Sequence, residues 1–190
     1  MPLKVLVTGP FSTGKSTVVA GLADGLTAGR IGVAVLPDAA RNCPLPLNER
    51  QTEEASLWLI ATQIANEIEA CSRELEVVLC DRGIPDIVAH HEEAGGLKPS
   101  VHFAAIVPFL IEWCGTYDLI LASTIDDSLP VVGDGLRVVS EEYRRKLGQR
   151  SEQVLTRVGN VLTMPLGQTE RVRYALAVIA DRLNSLAAGS

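Results

Sequence analysis

The stretch GPFSTGKST, residues 9–17, sets Gly9, Gly14, Lys15 and Ser16 at the spacing G-x-x-x-x-G-K-[ST], directly behind the apolar run Leu3, Val5, Leu6 and Val7. Glycines at these places let the chain curl until successive backbone N–H groups point at phosphate oxygens. A helix opening near Gly14 adds its positive end. Lys15 then reaches the β and γ phosphates of a nucleotide, and the Ser16 hydroxyl can ligand Mg²⁺. Ser12, Thr13 and Thr17 complete the expected nucleotide contacts.

A second set of residues falls just behind other apolar runs. Asp81 ends VVLCD, an arrangement that delivers a carboxylate to the rim of a sheet where it can hold the Mg²⁺ shell. Arg82 follows it, where many ATP-hydrolysing motors carry Glu, and a guanidinium there suits a phosphate or an acidic substrate group. Asp38 follows IGVAVLP and can either accept the proton of an attacking hydroxyl or cap the short segment AAR. Arg41 lies three residues on, placed to hold substrate or the transferred group. Asp38 and Arg41 with Arg82 are thus candidate substrate contacts, and Trp58 with Gln63 could line an acceptor pocket by stacking and amide hydrogen bonds.

The segment 133–150 gathers Arg137, Arg144, Arg145, Lys146 and Arg150 in an otherwise acidic chain. Positioned cations, often carried on a mobile lid, stabilise a transferring phosphoryl group, and Gly133 and Gly135 make a hinge beside Arg137. For the cations at 144–146 the alternative is a solvated helix face paired with Glu141 and Glu142. His90 and His91 lack metal-ligand spacing and read as a polar helix end.

These residues need a frame, and the apolar pattern supplies one. Strands are expected at 3–8, 31–37, 76–80, 117–123 and 160–166, with helices over 15–28, 49–75, 85–94, 100–114, 140–158 and 168–187. Pro44 and Pro46 exclude regular structure between Asp38 and Asn48. In the long second helix, Leu57, Trp58, Ala61, Ile64, Ala65 and Ile68 form the expected core face. Alternation of strand and helix predicts a parallel sheet with its ligands at the carboxyl ends of the strands.

The chain has 190 residues, 47% hydrophobic and only 4% aromatic, which fits a single domain with a Val, Leu, Ile and Ala core. A net charge of −6 argues against broad polyanion binding. No run of about 18 apolar residues is present. Cys43, Cys71, Cys80 and Cys114 show no zinc spacing and read as thiols of a cytoplasmic protein.

Taken together, GPFSTGKST, LPDAAR, CDRG and the late DGLR before a basic helix resemble the P-loop nucleoside and nucleotide kinases, in particular the ATPase-like subgroup that includes the bacterial nicotinamide riboside kinase domain. The resemblance spans nearly the whole chain. It implies an α/β fold: a P-loop NTPase three-layer α/β/α sandwich over residues 1–190, with a five-stranded, mostly parallel sheet and a short basic lid at about 126–150. It implies transfer of the γ-phosphoryl of ATP to a hydroxyl or phosphate of a nucleoside, nucleotide or related small molecule. Lys15 and Arg137 would be electrostatic stabilisers, Ser16 and Asp81 the Mg²⁺ residues and Asp38 the base. Two other readings use the same parts: a kinase acting on a nucleic-acid hydroxyl, and an ATPase or switch that regulates a protein partner. A GTPase is excluded by the lack of N-K-x-D and D-x-x-G.

Overall fold

The apolar run Leu3–Thr8 is buried at every residue and forms the central strand, β1, of a parallel sheet. The computed structural model describes residues 1–94, 100–125 and 141–188. Within them β1 is followed by α1 (Lys15–Ala28), β2 (Val33–Leu36), α2 (Glu53–Cys71), β3 (Val77–Asp81), α3 (Ile84–Ala94), α4 (Val101–Cys114), β4 (Leu119–Ala122), α5 (Glu141–Leu155), β5 (Val161–Thr163) and α6 (Gln168–Ala188). The strand order is β2-β3-β1-β4-β5, and every neighbouring pair is parallel. This is the expected α/β/α sandwich.

Period-two alternation divides the core into two layers. Leu3, Val5 and Val7 of β1, with Val77 and Leu79 of β3, meet Val18 and Leu22 of α1 and Ile179 of α6. Leu6, Val78, Cys80 and Ile120 point the other way, onto Leu59 of α2, Val88 of α3, Leu110 of α4 and Leu147 of α5. All four cysteines are thiols, and no helix among the described residues is long and apolar enough to cross a membrane.

Elements end where local chemistry ends them. The Thr52 hydroxyl accepts from Ala55 N and starts α2 there, four residues inside the expected boundary, and Ser100 does the same for α4 through Phe103 N. The proline-bearing stretch is not wholly irregular, since short 3-10 turns at Ala39–Asn42 and Asn48–Arg50 flank it.

One expectation is reversed. The face of α2 turned inward carries Ala55, Ser56, Leu59, Ile60, Gln63, Glu67 and Ala70, whereas Leu57, Ala61, Ala65 and Ile68 are exposed. The reason is a polar network inside the core. Glu67 forms an ion pair with Lys4 Nζ at 2.9 Å and accepts from Trp113 Nε1 at 2.9 Å, Gln63 Nε2 at 2.8 Å and the Tyr117 hydroxyl. Lys4 also sits over the rings of Trp113 and Tyr117, 5.3 and 4.7 Å from their centroids. Burial next to this carboxylate pushes the Tyr117 hydroxyl well above its ordinary pKa, keeping it a donor. A saturated buried ion pair of this kind holds a helix face that hydrophobic periodicity would assign to solvent.

Removing one partner leaves the other charge buried and unpaired. Glu67→Ala should therefore lower the unfolding free energy by roughly 3–5 kcal/mol, and Lys4→Met combined with Glu67→Met by clearly less, as read by urea denaturation.

Candidate phosphate and acceptor site

The carboxyl ends of β1, β2 and β3 bring the sequence candidates together. Between β1 and α1 the loop takes left-handed backbone angles at Gly9 (φ 127°), Ser12 (φ 55°) and Gly14 (φ 76°). A Cβ on Gly9 would lie 2.3 Å from the Ser123 carbonyl oxygen, so only glycine fits. Thr13 Oγ1 donates to the Pro10 carbonyl at 2.9 Å, and Lys15 Nζ lies on the carbonyls of Gly9, at 2.8 Å, and Pro10. Ser16 and Thr17 are exposed at the first turn of α1.

The Ser16 hydroxyl donates to Asp81 Oδ2 at 2.7 Å, joining the loop to the end of β3. A hydroxyl and a carboxylate in contact, beside an open helix N-terminus, form the hard-oxygen donor set that Mg²⁺ takes through a few protein ligands and several waters. The residues present fit that ion and a polyphosphate.

Arg82 follows Asp81 with φ 74°, an unfavourable conformation for a side chain with a Cβ. It is held from several sides. Its backbone N–H donates to the Val7 carbonyl at 3.0 Å, and its carbonyl accepts from Gln63 Nε2 at 3.4 Å. Its Nε pairs with Asp38 Oδ2 at 3.0 Å, and one terminal nitrogen reaches Asp86 Oδ1 at 3.9 Å and His90 Nε2 at 3.2 Å. A guanidinium only donates, so His90 accepts at Nε2 and carries its proton on Nδ1, which faces the Tyr143 hydroxyl of α5 at 3.3 Å. The expected polar helix end is thus turned inward. His91 is buried, bonded to Ser56 at 2.9 Å and stacked on Phe103, and burial lowers its pKa.

Asp38 is at once a cap and an ion-pair partner: its Oδ1 accepts from Ala40 N at 2.9 Å while Oδ2 takes Arg82. Next to it opens a cavity of about 200 Å³ lined by Asp38, Arg41, Gln63, Arg82, Asp86 and His90 together with apolar residues such as Leu59. Arg41 is exposed at its rim. Trp58 does not line it, contrary to expectation. Leu59 and Gln63, four apart, share the inward stripe of α2, and Trp58, about 100° round the helix, packs half-buried against the core instead.

Three residues that sequence reasoning missed complete the arrangement. Asp86, fully buried in the first turn of α3, accepts from Thr8 Oγ1 at 2.8 Å, Gly83 N at 3.1 Å and Gly9 N at 3.4 Å. Burial raises its pKa against the pull of Arg82 and Lys15. Its only sequence signal is its place four residues after Arg82. Arg171 of α6, also fully buried, donates to the carbonyls of Pro165 at 2.9 Å, Thr124 at 3.2 Å and Thr13, and Gln168 Nε2 donates to Gly14 O at 3.0 Å. These clamp the phosphate loop from a distance of over 150 residues along the chain.

Arg137, Gly133 and Gly135 lie outside the described residues, as does the lid as far as residue 140. The remainder of the basic segment begins α5. Arg145 and Lys146 pair along the helix with Glu141 and Glu142 on the solvent side, at 3.4 and 2.7 Å. Arg144 is different. It is 2% exposed, its Nε and one terminal nitrogen have no hydrogen-bond partner among the described residues, and it pairs at 3.6 Å with Glu141, which is half exposed. On the helix it shares a stripe with Gly148, which abuts Pro10 and Ile125 beside the phosphate loop.

Loosening the clamp should weaken the loop. Arg171→Met should reduce nucleotide affinity about tenfold or more in a calorimetric titration, and Arg171→Lys should recover part of it, because the carbonyls of Thr13 in the loop and of Thr124 and Pro165 beside it lose their donor in the first variant and only some do in the second.

Comparison with known proteins agrees with this geometry. A family model described as "AAA domain" matches residues 4–171. Comparison with curated proteins gives no match. Among solved structures, a NadR protein in complex with NR superposes with TM-score 0.74 at 18% identity, covering 95% of this chain and 51% of that one. A NadR protein in complex with NAD and AMP-PNP gives 0.73 at 17%, covering 96% and 50%. The chain thus spans about half the length of these NadR chains. Deoxyadenosine kinase from M. mycoides, with products dCMP and a flexible dCDP bound, gives 0.65 at 13%, covering 96% and 99%. At such identities the likeness is one of fold. The family match over most of the chain and these superpositions agree: the chain belongs to the AAA domain family and has a P-loop nucleoside kinase-like fold.

Proposed function

We propose that this protein is an ATP- and Mg²⁺-dependent phosphotransferase that moves the γ-phosphoryl group to a hydroxyl or phosphate of a nucleoside, nucleotide or related small molecule. The observation that carries the reading is the cavity lined by Asp38, Arg41 and Arg82, joined through Asp86 to the phosphate loop. The NadR and deoxyadenosine kinase structures, with their bound nucleotides and NR, support the same class of ligand.

The loop N–H groups and Lys15 would hold the β and γ phosphates. Ser16 and Asp81 would hold Mg²⁺, which when bound supplies charge neutralisation between those phosphates. Asp38 accepts the hydroxyl proton of the acceptor, and its ion pair with Arg82 fixes the carboxylate in place. Phosphoryl transfer depends mostly on such positioning and on electrostatics. Arg144, a buried cation one turn before Gly148, which abuts Pro10, would add positive charge to that expected of Arg137.

The AAA domain match favours a second reading, an ATPase or switch without an acceptor. Arg82, standing where such enzymes often place Glu, weighs against it.

Lys15→Ala should abolish turnover with the melting temperature nearly unchanged. Asp38→Asn should cut transfer by roughly a hundredfold or more with ATP affinity retained, measured by single-turnover kinetics beside nucleotide binding. Equal loss of both would make Asp38 a structural cap alone. Arg144→Met should slow transfer while leaving thermal stability equal or higher, since an unsatisfied buried charge is removed.

A further inference from the structure

Helix α4 is apolar on both faces, with His102 and Glu112 its only polar residues. Its inner face, Phe103, Leu110 and Cys114, is fully buried in the core. Its outer face carries Val101, 84% exposed, and Phe109, 49% exposed, with Ala104, Ala105 and Pro108 also exposed. A helix hydrophobic on both sides is stable in water only when both sides are covered. The outer face continues past Trp113 into a groove shared with Ile68 of α2. Along α2 the exposed Leu57, Ala61 and Ile68, with Ile64 half-buried against the core between them, form an apolar seam at helical spacing.

The polar residues on the outer face of α4 indicate the occupant. His102 and Glu112 stand at opposite ends, equally far from the level of Val107, and so do the small Ala105 and the large Phe109. Two copies of α4 crossing antiparallel about a two-fold axis at that level set His102 against the partner's Glu112 and Ala105 against the partner's Phe109, with Val101 against the partner's Trp113. Every pair is complementary: imidazole N–H to carboxylate, small to large, apolar to aromatic. The 14 residues of α4 span about 21 Å at 1.5 Å each, too little alone for the roughly 800 Å² per partner of a stable complex, and the apolar strip over Trp113 to Ile68 extends it.

The geometry points to a homodimer of this chain, formed by antiparallel self-pairing of α4 and flanked by the exposed seam of α2. The surface lies outside the phosphate and acceptor site, and the proposal does not rest on the phosphotransferase reading.

Sedimentation velocity of the whole chain over a hundredfold concentration range tests it without nucleotide, so a failure of the kinase assignment leaves the result interpretable. The wild type should sediment as a dimer that dissociates on dilution. Phe109→Asp and Ala105→Glu, both on the outer face, should each weaken it at least tenfold with circular dichroism unchanged. His102→Glu alone should weaken the dimer at low salt, and His102→Glu with Glu112→Lys should restore it. A monomer at every concentration would overturn the proposal and assign the face to a different protein. So would a dimer indifferent to Phe109→Asp and Ala105→Glu.

Discussion

The carboxylate of Asp86 accepts hydrogen bonds from Thr8 and Gly9 at the end of β1 and from Gly83 just beyond β3, so one buried group sets the register between the glycine loop and the wall of the cavity beside Asp38. Parallel pairing brings Val7 level with Asp81, but a ladder fixes only the backbone. Asp86 fixes the loops that leave it. Through Arg82 the same carboxylate is connected to Asp38, at the end of β2 and two strands from the loop it supports. Burying an acid here is costly, as its raised pKa reflects, and the neighbouring cations and N–H groups offset that cost.

Around this centre the chain spends polar groups in its interior to obtain position. Arg82 adopts a left-handed backbone conformation that its surroundings enforce, with Gln63 on its carbonyl and Asp38 on its side chain. Gln63 is in turn held by Glu67, which also takes Lys4, Trp113 and Tyr117. Tyr117 reaches back to Ile84 N at the start of α3. The wall of the cavity is therefore continuous by hydrogen bonds with Trp113, at the C-terminal end of α4.

What could be read in the sequence was local. The phosphate loop, Asp81 and Arg82 lie within single strand-turn segments, and the order of strands and helices follows from short apolar runs. The five strands and the sandwich were legible for that reason. The face of α2 was not, because counting hydrophobic residues cannot register that Glu67 is saturated by partners 63, 46 and 50 residues away in the chain. Arg171 was invisible on the same ground, since its acceptor Thr13 is 158 positions distant. Trp58 was misplaced by one residue of helical rotation. Asp38 is the cap its position suggested, and its second carboxylate oxygen pairs with Arg82.

The central claim is that Asp38 and Arg82 face an acceptor while the glycine loop holds a nucleotide. The most direct measurement is ADP release from Mg·ATP, alone and with a panel of nucleosides, nucleotides, nicotinamide riboside and hydroxyl-bearing nucleic acids, with product masses determined in parallel. The account predicts that one small-molecule acceptor stimulates release and gains the mass of a phosphoryl group. Steady ADP release that no acceptor changes, or a product found only on nucleic acid, would contradict it.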